Sequence, residues 1–215
     1  MIRHLWFDFS ETIVVLRQER HDRLRYESYA AVVHQPVTDA LMAEYNQLYK
    51  VHKQSNAAVF RSLGLPGSYW SGRVNSVAPL ELYQLADPSI PSVLEDLKEL
   101  LPISIFSNIK LESILPSFRI SPLWFTNILS AGMVKEPKPA LDGFKKMVEL
   151  SRCQPAEILY IGDDIEKDVR PAKQVGIRAG LMWHHSPEAD FQFERFSDML
   201  SLVKSLPASP RAANP

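Results

Sequence analysis

The sequence predicts an α/β protein with a parallel sheet of five strands flanked by helices and one helical insert. Two observations carry this prediction. Short apolar runs, each stopping at polar residues, alternate with stretches whose apolar residues recur at helical spacing, which is typical of a parallel sheet built from right-handed crossovers. Residues 17–86 show only the helical spacing and are therefore predicted to form an insert of several helices.

The predicted strands begin close to the N-terminus. An apolar run with aromatics, ended by Asp8, predicts the first buried strand. After the insert, an amphipathic helix at residues 92–101 leads past Pro102 into the second strand. The five predicted strands are residues 1–7, 103–106, 125–129, 158–161 and 177–182, and the later helices are residues 109–118, 141–150, 167–175 and a last helix that includes Phe196 and Met199.

The insert is expected to be helical, without strands. One of its helices begins at Thr38 and Asp39, a second covers about residues 57–63 and ends at Gly64, and a third begins near Tyr69. We assign residues 16–87 to this helical insert, residues 1–15 and 88–206 to the core, and the Pro-rich residues 207–215 to a disordered tail.

An insert that closes over a site would set the choice of substrate. The aromatic residues of the insert are expected to pack against one another rather than to form a cofactor site. Five other side chains could contact a polar substrate or simply lie exposed on helices, and they are His21, Arg23, Arg25, His34 and His52.

Composition limits the partners. The chain has 215 residues and a formal net charge of -1, which gives no case for a nucleic-acid partner or an anionic membrane surface. We find no apolar stretch of membrane-spanning length and no signal-peptide pattern. A single cysteine, Cys153, permits no internal disulfide and fits a cytoplasmic location. A small-molecule substrate is expected, with a monomer or a homodimer as the assembly.

Polar side chains follow the predicted strands at the points where they end. Asp8, Ser107 and Asp163 each come directly after a strand, and Lys138 follows the third strand. Because parallel strands end at one edge of the sheet, where open α/β sheets bind ligands, these side chains should converge. Two carboxylates suit Mg²⁺. The hydroxyl and the ammonium would hold a phosphoryl group against a carboxylate nucleophile, which predicts catalysis through an aspartyl-phosphate.

The order and spacing of these elements resemble the haloacid dehalogenase superfamily over the chain to about residue 205. Four short motifs carry the resemblance, and their shared order makes it specific. They are Asp8-Phe9-Ser10-Glu11-Thr12, Ile105-Phe106-Ser107-Asn108, Lys138-Pro139 with Phe144, and Gly162-Asp163-Asp164-Ile165-Glu166-Lys167-Asp168. The resemblance implies a Rossmann-like core with a helical cap inserted after the first motif.

The resemblance also implies roles for the motif residues. Asp8 would be the nucleophile, with Ser107 and Lys138 as its catalytic partners. Ser107, Asn108 and Lys138 would bind the phosphate. Lys135 is a weaker candidate for the lysine role, because no proline follows it.

The same resemblance implies a Mg²⁺ site. Its ligands would be Asp8, the backbone carbonyl of Ser10, and Asp163. Thr12, Asp164 and Asp168 would lie around these ligands and help to position them without binding the metal themselves. On chemical grounds Asp168 could orient the lysine or the metal-bound waters, and Asp164 could either help the site or cap the following helix.

The sequence departs from the superfamily at Ser10, where phosphatases carry a second aspartate that acts as general acid and base. Such a group is typically worth about 10²–10⁴-fold in rate. Glu11 could replace it only if its side chain turns into the site. Three interpretations stay open: a Mg²⁺-dependent phosphatase that is weak or specialised for a good leaving group, a 2-haloacid dehalogenase in which Arg17 or Arg20 serves at the cap entrance, and a non-catalytic phosphate-binding or regulatory protein.

Overall fold

The computed structural model describes residues 1–206. The tail predicted at residues 207–215 lies outside the described residues. Within residues 1–206, no helix has both the length and the apolar character that crossing a membrane requires.

Strands and helices alternate along the chain. The strands are β1 (His4–Phe7), β2 (Val14–Leu16), β3 (Tyr83–Leu85), β4 (Ile103–Ser107), β5 (Asn127–Ser130), β6 (Ile158–Gly162), β7 (Arg178–Met182) and β8 (Phe191–Phe193). The α-helices are α1 (Gln18–Val33), α2 (Asp39–Val51), α3 (Asn56–Ser62), α4 (Tyr69–Asn75), α5 (Pro79–Leu82), α6 (Ile90–Leu100), α7 (Asp142–Ser151), α8 (Arg170–Gln174) and α9 (Asp198–Ser205). Short 3₁₀ turns lie at Leu115–Phe118, Pro122–Trp124, Ala131–Met133 and Pro155–Glu157, and a π-helical turn lies at Ile165–Val169.

Six strands form one parallel sheet in the order β5-β4-β1-β6-β7-β8. This architecture confirms the predicted α/β class with helices around a parallel sheet. The sequence predicted five strands, whereas the sheet has six. The sixth strand, Phe191–Phe193, is only three residues long and lies at the edge, where it needs no continuous apolar run.

Both faces of this sheet are buried, which explains why its central strands read as apolar runs. In β1, Leu5 and Phe7 point into a core that includes residues of α6 and α9. Trp6, between them, points to the opposite face, where α7 and α8 pack. Alternate side chains of one strand therefore enter two different layers of the core.

The insert differs from the prediction at its ends. Helices α1–α5 lie between β2 and β3, and these two strands pair antiparallel, with Val14 opposite Leu85 and Leu16 opposite Tyr83. The expectation that the insert contains no strand was therefore wrong. The helix start predicted at Thr38 is confirmed, since its hydroxyl caps α2 by accepting a hydrogen bond from the Leu41 N–H at 3.2 Å.

One predicted helix is absent from the described chain. The segment after β4, predicted as helical to residue 118, forms only the 3₁₀ turn Leu115–Phe118. Pro116 lies inside this segment and has no N–H to donate, so a continuous α-helix cannot run through it.

Candidate functional site

Three neighbouring strands bring the predicted residues to one edge of the sheet. Asp8 directly follows β1, Ser107 is the last residue of β4, and Asp163 directly follows β6. Because β1 lies between β4 and β6, Asp8 occupies the centre of this edge. Its N–H donates to the Ile161 carbonyl at 2.8 Å, which continues the pairing of β1 and β6.

The side chain of Lys138 uses all three of its donors inside this edge. Its Nζ lies 2.7 Å from Asp8 Oδ1, 2.8 Å from Asp168 Oδ1 and 2.8 Å from the Tyr160 hydroxyl. The Tyr160 hydroxyl in turn donates to Asp168 Oδ1 at 2.9 Å. Because an ammonium has three N–H groups, this set satisfies it completely and fixes its position beside Asp8.

The backbone of Lys138 is fixed as well. Its N–H donates to Asn108 Oδ1 at 2.9 Å, and its carbonyl accepts from Asn108 Nδ2 at 3.2 Å. The Ser107 hydroxyl accepts from the Ile109 N–H at 3.4 Å. The second predicted motif therefore positions the loop that carries the third.

The π-helical turn after β6 delivers Asp168 to the network. Asp168 Oδ2 accepts from the Asp164 N–H at 3.2 Å, so both carboxylate oxygens are bound. A Cβ on Gly162 would lie 2.4 Å from Asp168 Cγ, which explains why a glycine stands there. The Asp164 side chain caps the turn by accepting from the Glu166 and Lys167 N–H groups at 2.8 and 2.9 Å.

Burial and charge shift the pKa values of this cluster. Burial raises the pKa of Asp8 to about 6, against the opposing effect of Lys138. Burial, followed by the charges of Asp168 and Asp8, raises the pKa of Asp163 to about 8. Burial acts to lower the pKa of Lys138, but its two carboxylate neighbours outweigh burial and raise it. Lys138 is therefore a permanent cation, and the acidic cluster is short of positive charge.

This shortage of charge fits a divalent cation. Carboxylate oxygens of Asp8, Asp163 and Asp168 lie within 4.8 Å of one another. Lys138 neutralises two of them, whereas within residues 1–206 no lysine or arginine is paired with Asp163. From the described residues, the Asp163 carboxylate accepts one side-chain hydrogen bond, from the Thr12 hydroxyl at 3.4 Å. Hard carboxylate oxygens at this spacing suit Mg²⁺, and a cation beside Asp163 would favour its charged form and so oppose the rise in its pKa.

The residues predicted for the site line one cavity of about 380 Å³. Those found in its wall are Asp8, Ser10, Ser107, Asn108, Lys138, Asp163, Asp164 and Asp168. Thr12 is buried and lies behind this wall, where it contacts Asp163. Lys135, the competing lysine, is exposed, and its carbonyl accepts a hydrogen bond from Arg61.

Among the insert side chains predicted to contact a substrate, His21 is the one that the structure places in the cavity wall. Arg23 is exposed and pairs with Glu27, and His34 is exposed at the end of α1. Arg25 is buried, contrary to the expectation of an exposed helix residue, because its guanidinium lies against tyrosine rings. The cavity lining that the structure describes does not include His52.

Several cavity and network residues were missed by the sequence analysis. Tyr160 was interpreted only as part of a buried strand, and nothing in its sequence context marks its hydroxyl. The insert side chains Tyr49, Gln54, Asn56 and Trp70 also line the cavity. Their positions depend on how the helices pack, so helical spacing alone could not find them. Of the aromatics expected only to pack, Tyr49 and Trp70 also face the cavity.

A comparison with protein-family models matches residues 80–182 to the family described as haloacid dehalogenase-like hydrolase. A search of curated proteins finds no match. The matched segment covers the strands β3–β7 and therefore includes the second, third and fourth motifs, but not the first.

Solved structures of low sequence identity share the fold. A HAD phosphatase from Thermococcus onnurineus is 17% identical, with a TM-score of 0.71 over 94% of this chain and 98% of that chain. The HAD-hydrolase YfnB from Bacillus subtilis, bound to magnesium, is 15% identical, with a TM-score of 0.62 over 94% and 98%. A 2-haloacid dehalogenase from Pseudomonas syringae pv. Tomato DC3000 is 15% identical, with a TM-score of 0.63 over 95% and 99%.

Proposed function

We propose that this chain, whose residues 80–182 match the haloacid dehalogenase-like hydrolase family, is a Mg²⁺-dependent phosphatase acting on a small phosphorylated metabolite, with Asp8 as nucleophile and helices α1–α5 as its cap. The observation that carries the proposal is the ion-pair network in which Lys138 bridges Asp8 and Asp168 beside Asp163, inside the cavity. A carboxylate held by a permanent cation is kept ionised, as a nucleophile must be.

The reaction that this geometry supports has two steps. An Asp8 carboxylate oxygen attacks phosphorus, the bond between phosphorus and the alcohol oxygen breaks, and the alkoxide leaves with a proton taken from solvent or from a nearby acid. Water then attacks the aspartyl-phosphate, releasing inorganic phosphate and restoring the carboxylate. Ser107 and Asn108 would contact the phosphoryl oxygens, and Lys138 would do so by redirecting one of its three N–H groups.

Mg²⁺ would be held by Asp8, Asp163 and the Ser10 carbonyl, and would supply charge stabilisation for the phosphoryl group. The chain's own residues must do the rest. Asp168 and Tyr160 hold the ammonium of Lys138 in place, and Thr12 supports Asp163.

Ser10 lowers the expected rate. It lines the cavity, but a hydroxyl has no suitable pKa for proton transfer near neutrality. Glu11 also lines the cavity, and its Oε1 accepts the Leu16 N–H at 2.9 Å, which ties the carboxylate to the backbone of β2. We therefore expect slow turnover on ordinary monoesters and faster turnover where the leaving group needs no proton.

The test compares the wild type, Ser10→Asp and Asp8→Asn on an aryl phosphate and on an alkyl phosphate, with and without Mg²⁺. Ser10→Asp should raise Mg²⁺-dependent turnover of the alkyl ester by about 10²-fold or more, because it supplies the missing acid. Asp8→Asn should abolish turnover of both esters. Ser201→Asp, which adds the same charge at an exposed position of α9, serves as the control.

Two results would contradict the proposal. Chloride release from a 2-chloroacid without metal would favour the dehalogenase interpretation. The 2-haloacid dehalogenase from Pseudomonas syringae shares the fold of this chain, but that similarity does not extend to activity. Folded wild type and Ser10→Asp that both release no phosphate, yet bind it, would favour the non-catalytic interpretation.

A further inference from the structure

The cavity has two chemically different parts. The wall contributed by the core carries the carboxylates and the lysines Lys138 and Lys167. The wall contributed by the insert carries neutral side chains, chiefly His21, Tyr49, Gln54, Asn56 and Trp70. Whatever is attached to a phosphoryl group bound at Asp8 must therefore lie against aromatic rings and amides.

Within residues 16–87, no arginine is among the residues that line this cavity. Arg25 is buried, pairs with Asp22 at 2.8 Å, and lies 5.0 and 4.9 Å from the ring centroids of Tyr26 and Tyr49. Arg61 pairs with Glu136 of the core at 2.9 Å.

Neither His21 nor Lys167 supplies an unpaired positive charge to the cavity wall. Burial, reinforced by the charge of Arg25, lowers the pKa of His21 to about 4, so its ring is neutral at physiological pH. Lys167 pairs with Asp164 at 3.2 Å. Among the described lining residues, no cation remains for a second anionic group of a ligand.

Glu11 makes the cavity actively unfavourable for a second anion. Its backbone has a φ of 60°, a left-handed conformation that places the residue in the turn above Asp8. Its carboxylate accepts the Leu16 N–H, and no lysine or arginine in the described part of the chain pairs with it. A ligand carboxylate or second phosphate would face this uncompensated charge.

The side chain of Asn56 is oriented so that it can donate a hydrogen bond to a ligand. Its Oδ1 accepts the hydroxyl hydrogen of the buried Tyr45, so the Nδ2 group is the end left for a ligand. Gln54 lies beside it, at the end of a turn in which Lys53 and Gln54 both have positive φ, at 52° and 56°. Strained turns of this kind persist where neighbouring structure fixes them, often at ligand sites.

We propose that the ligand of this cavity is a phosphate monoester of an uncharged, hydroxyl-bearing alcohol, and that the insert wall selects against esters with a second anionic group. This inference rests on the proposed phosphate site at Asp8. Hydroxyl oxygens of the alcohol would accept hydrogen bonds from the amide groups of Asn56 and Gln54. The apolar face of the alcohol would lie against Trp70.

Binding can be measured without turnover in the Asp8→Asn background at saturating Mg²⁺, by calorimetry with inorganic phosphate, glucose 6-phosphate and phosphoglycolate. Glucose 6-phosphate should bind at least about tenfold more tightly than phosphoglycolate. Adding Gln54→Arg should reverse or remove that preference, because it places a cation in the insert wall. Adding Lys53→Gln removes the adjacent exposed cation, which the cavity wall does not include, and should leave the preference unchanged.

Each result has a distinct consequence. Inorganic phosphate that binds while phosphoglycolate binds as well as glucose 6-phosphate, or better, overturns this inference alone. Failure of all three ligands to bind the folded protein overturns the proposed phosphate site and this inference with it. A preference for glucose 6-phosphate that Gln54→Arg leaves intact contradicts the assignment of selectivity to the insert wall.

Discussion

The buried histidine of β1 should make folding stability depend on pH. His4 is buried, and its Nε2 lies 2.8 Å from the Ser104 hydroxyl oxygen. Burial lowers its pKa from 6.5 to about 4. Between these two values the unfolded chain binds more protons than the folded chain, so the contribution of His4 to stability is present above pH 6.5 and is lost as the pH falls towards 4.

The size of this effect follows from the two pKa values of His4. At pH 7 the linkage relation gives a loss of only about 0.2 kcal/mol, and at pH 5 a loss of about 2 kcal/mol. Lowering the pH from 7 to 5 should therefore cost about 2 kcal/mol of unfolding free energy through this one side chain. Such a change is large against the usual stability of a domain, about 5–15 kcal/mol.

The wild-type pH profile alone would not isolate His4. The pKa values of Asp8 and Asp163 are raised to about 6 and about 8, so these carboxyls act in the opposite direction and gain stability as the pH falls. His21, whose pKa is also lowered to about 4, adds to the effect of His4. The decisive quantity is the difference in pH dependence between a variant and the wild type.

The assay is urea unfolding of wild type and His4→Gln at pH 7 and pH 5, in a chelator that removes divalent metals. His4→Gln should lose about 2 kcal/mol less than wild type over this interval, whatever its stability at pH 7. His184→Gln removes an exposed histidine and should follow the wild type. Equal pH dependence for His4→Gln and wild type would refute the reasoning.

Two further predictions concern the site and the core beneath it. Tyr160→Phe keeps the buried ring but removes the hydroxyl that positions Lys138 at 2.8 Å, so kcat should fall about tenfold while KM changes little, as steady-state kinetics can show. A tenfold fall in kcat/KM that comes from a higher KM, with kcat unchanged, would contradict this role. Gly143→Ala would place a Cβ 2.0 Å from Phe106 Cζ, and urea unfolding should show a loss of about 1–3 kcal/mol or more. Unchanged stability would show that the ring can move aside.

Much of the sheet could be predicted because its strands are buried on both faces. A strand such as β4, Ile103–Ser107, needs apolar residues at nearly every position, and the polar residue that ends it is then visible in the sequence. The edge strand β8 has no such requirement, and its three residues could not be distinguished from a loop. Strand β3 pairs with β2 in a two-stranded antiparallel ribbon, and this pairing across the insert has no signal in the local sequence.

The candidate site was predictable to the extent that it depends on strand ends. The convergence of Asp8, Ser107 and Asp163 on one cavity follows from the topology, whereas Lys138 lies beyond the end of β5 and is positioned by Asn108. The hydroxyl of Tyr160 could not be identified, because a tyrosine in a buried strand has the same pattern as any packed aromatic.

The ribbon formed by β2 and β3 has a consequence for the order of folding. The core strands β1 and β4 are neighbours, yet His4 and Ser104 lie 100 positions apart along the chain. Once Leu16 pairs with Tyr83, the remaining flexible loop is about a third as long, which lowers the entropic cost of closing it by about 1 kcal/mol. We expect the helices of the insert, whose contacts are local in sequence, to form early and to bring Leu16 and Tyr83 together before β1 pairs with β4. We therefore expect Val15→Gly, which weakens the ribbon, to slow refolding in stopped-flow measurements as well as to reduce stability; a change confined to the unfolding rate would place ribbon formation after the rate-limiting step.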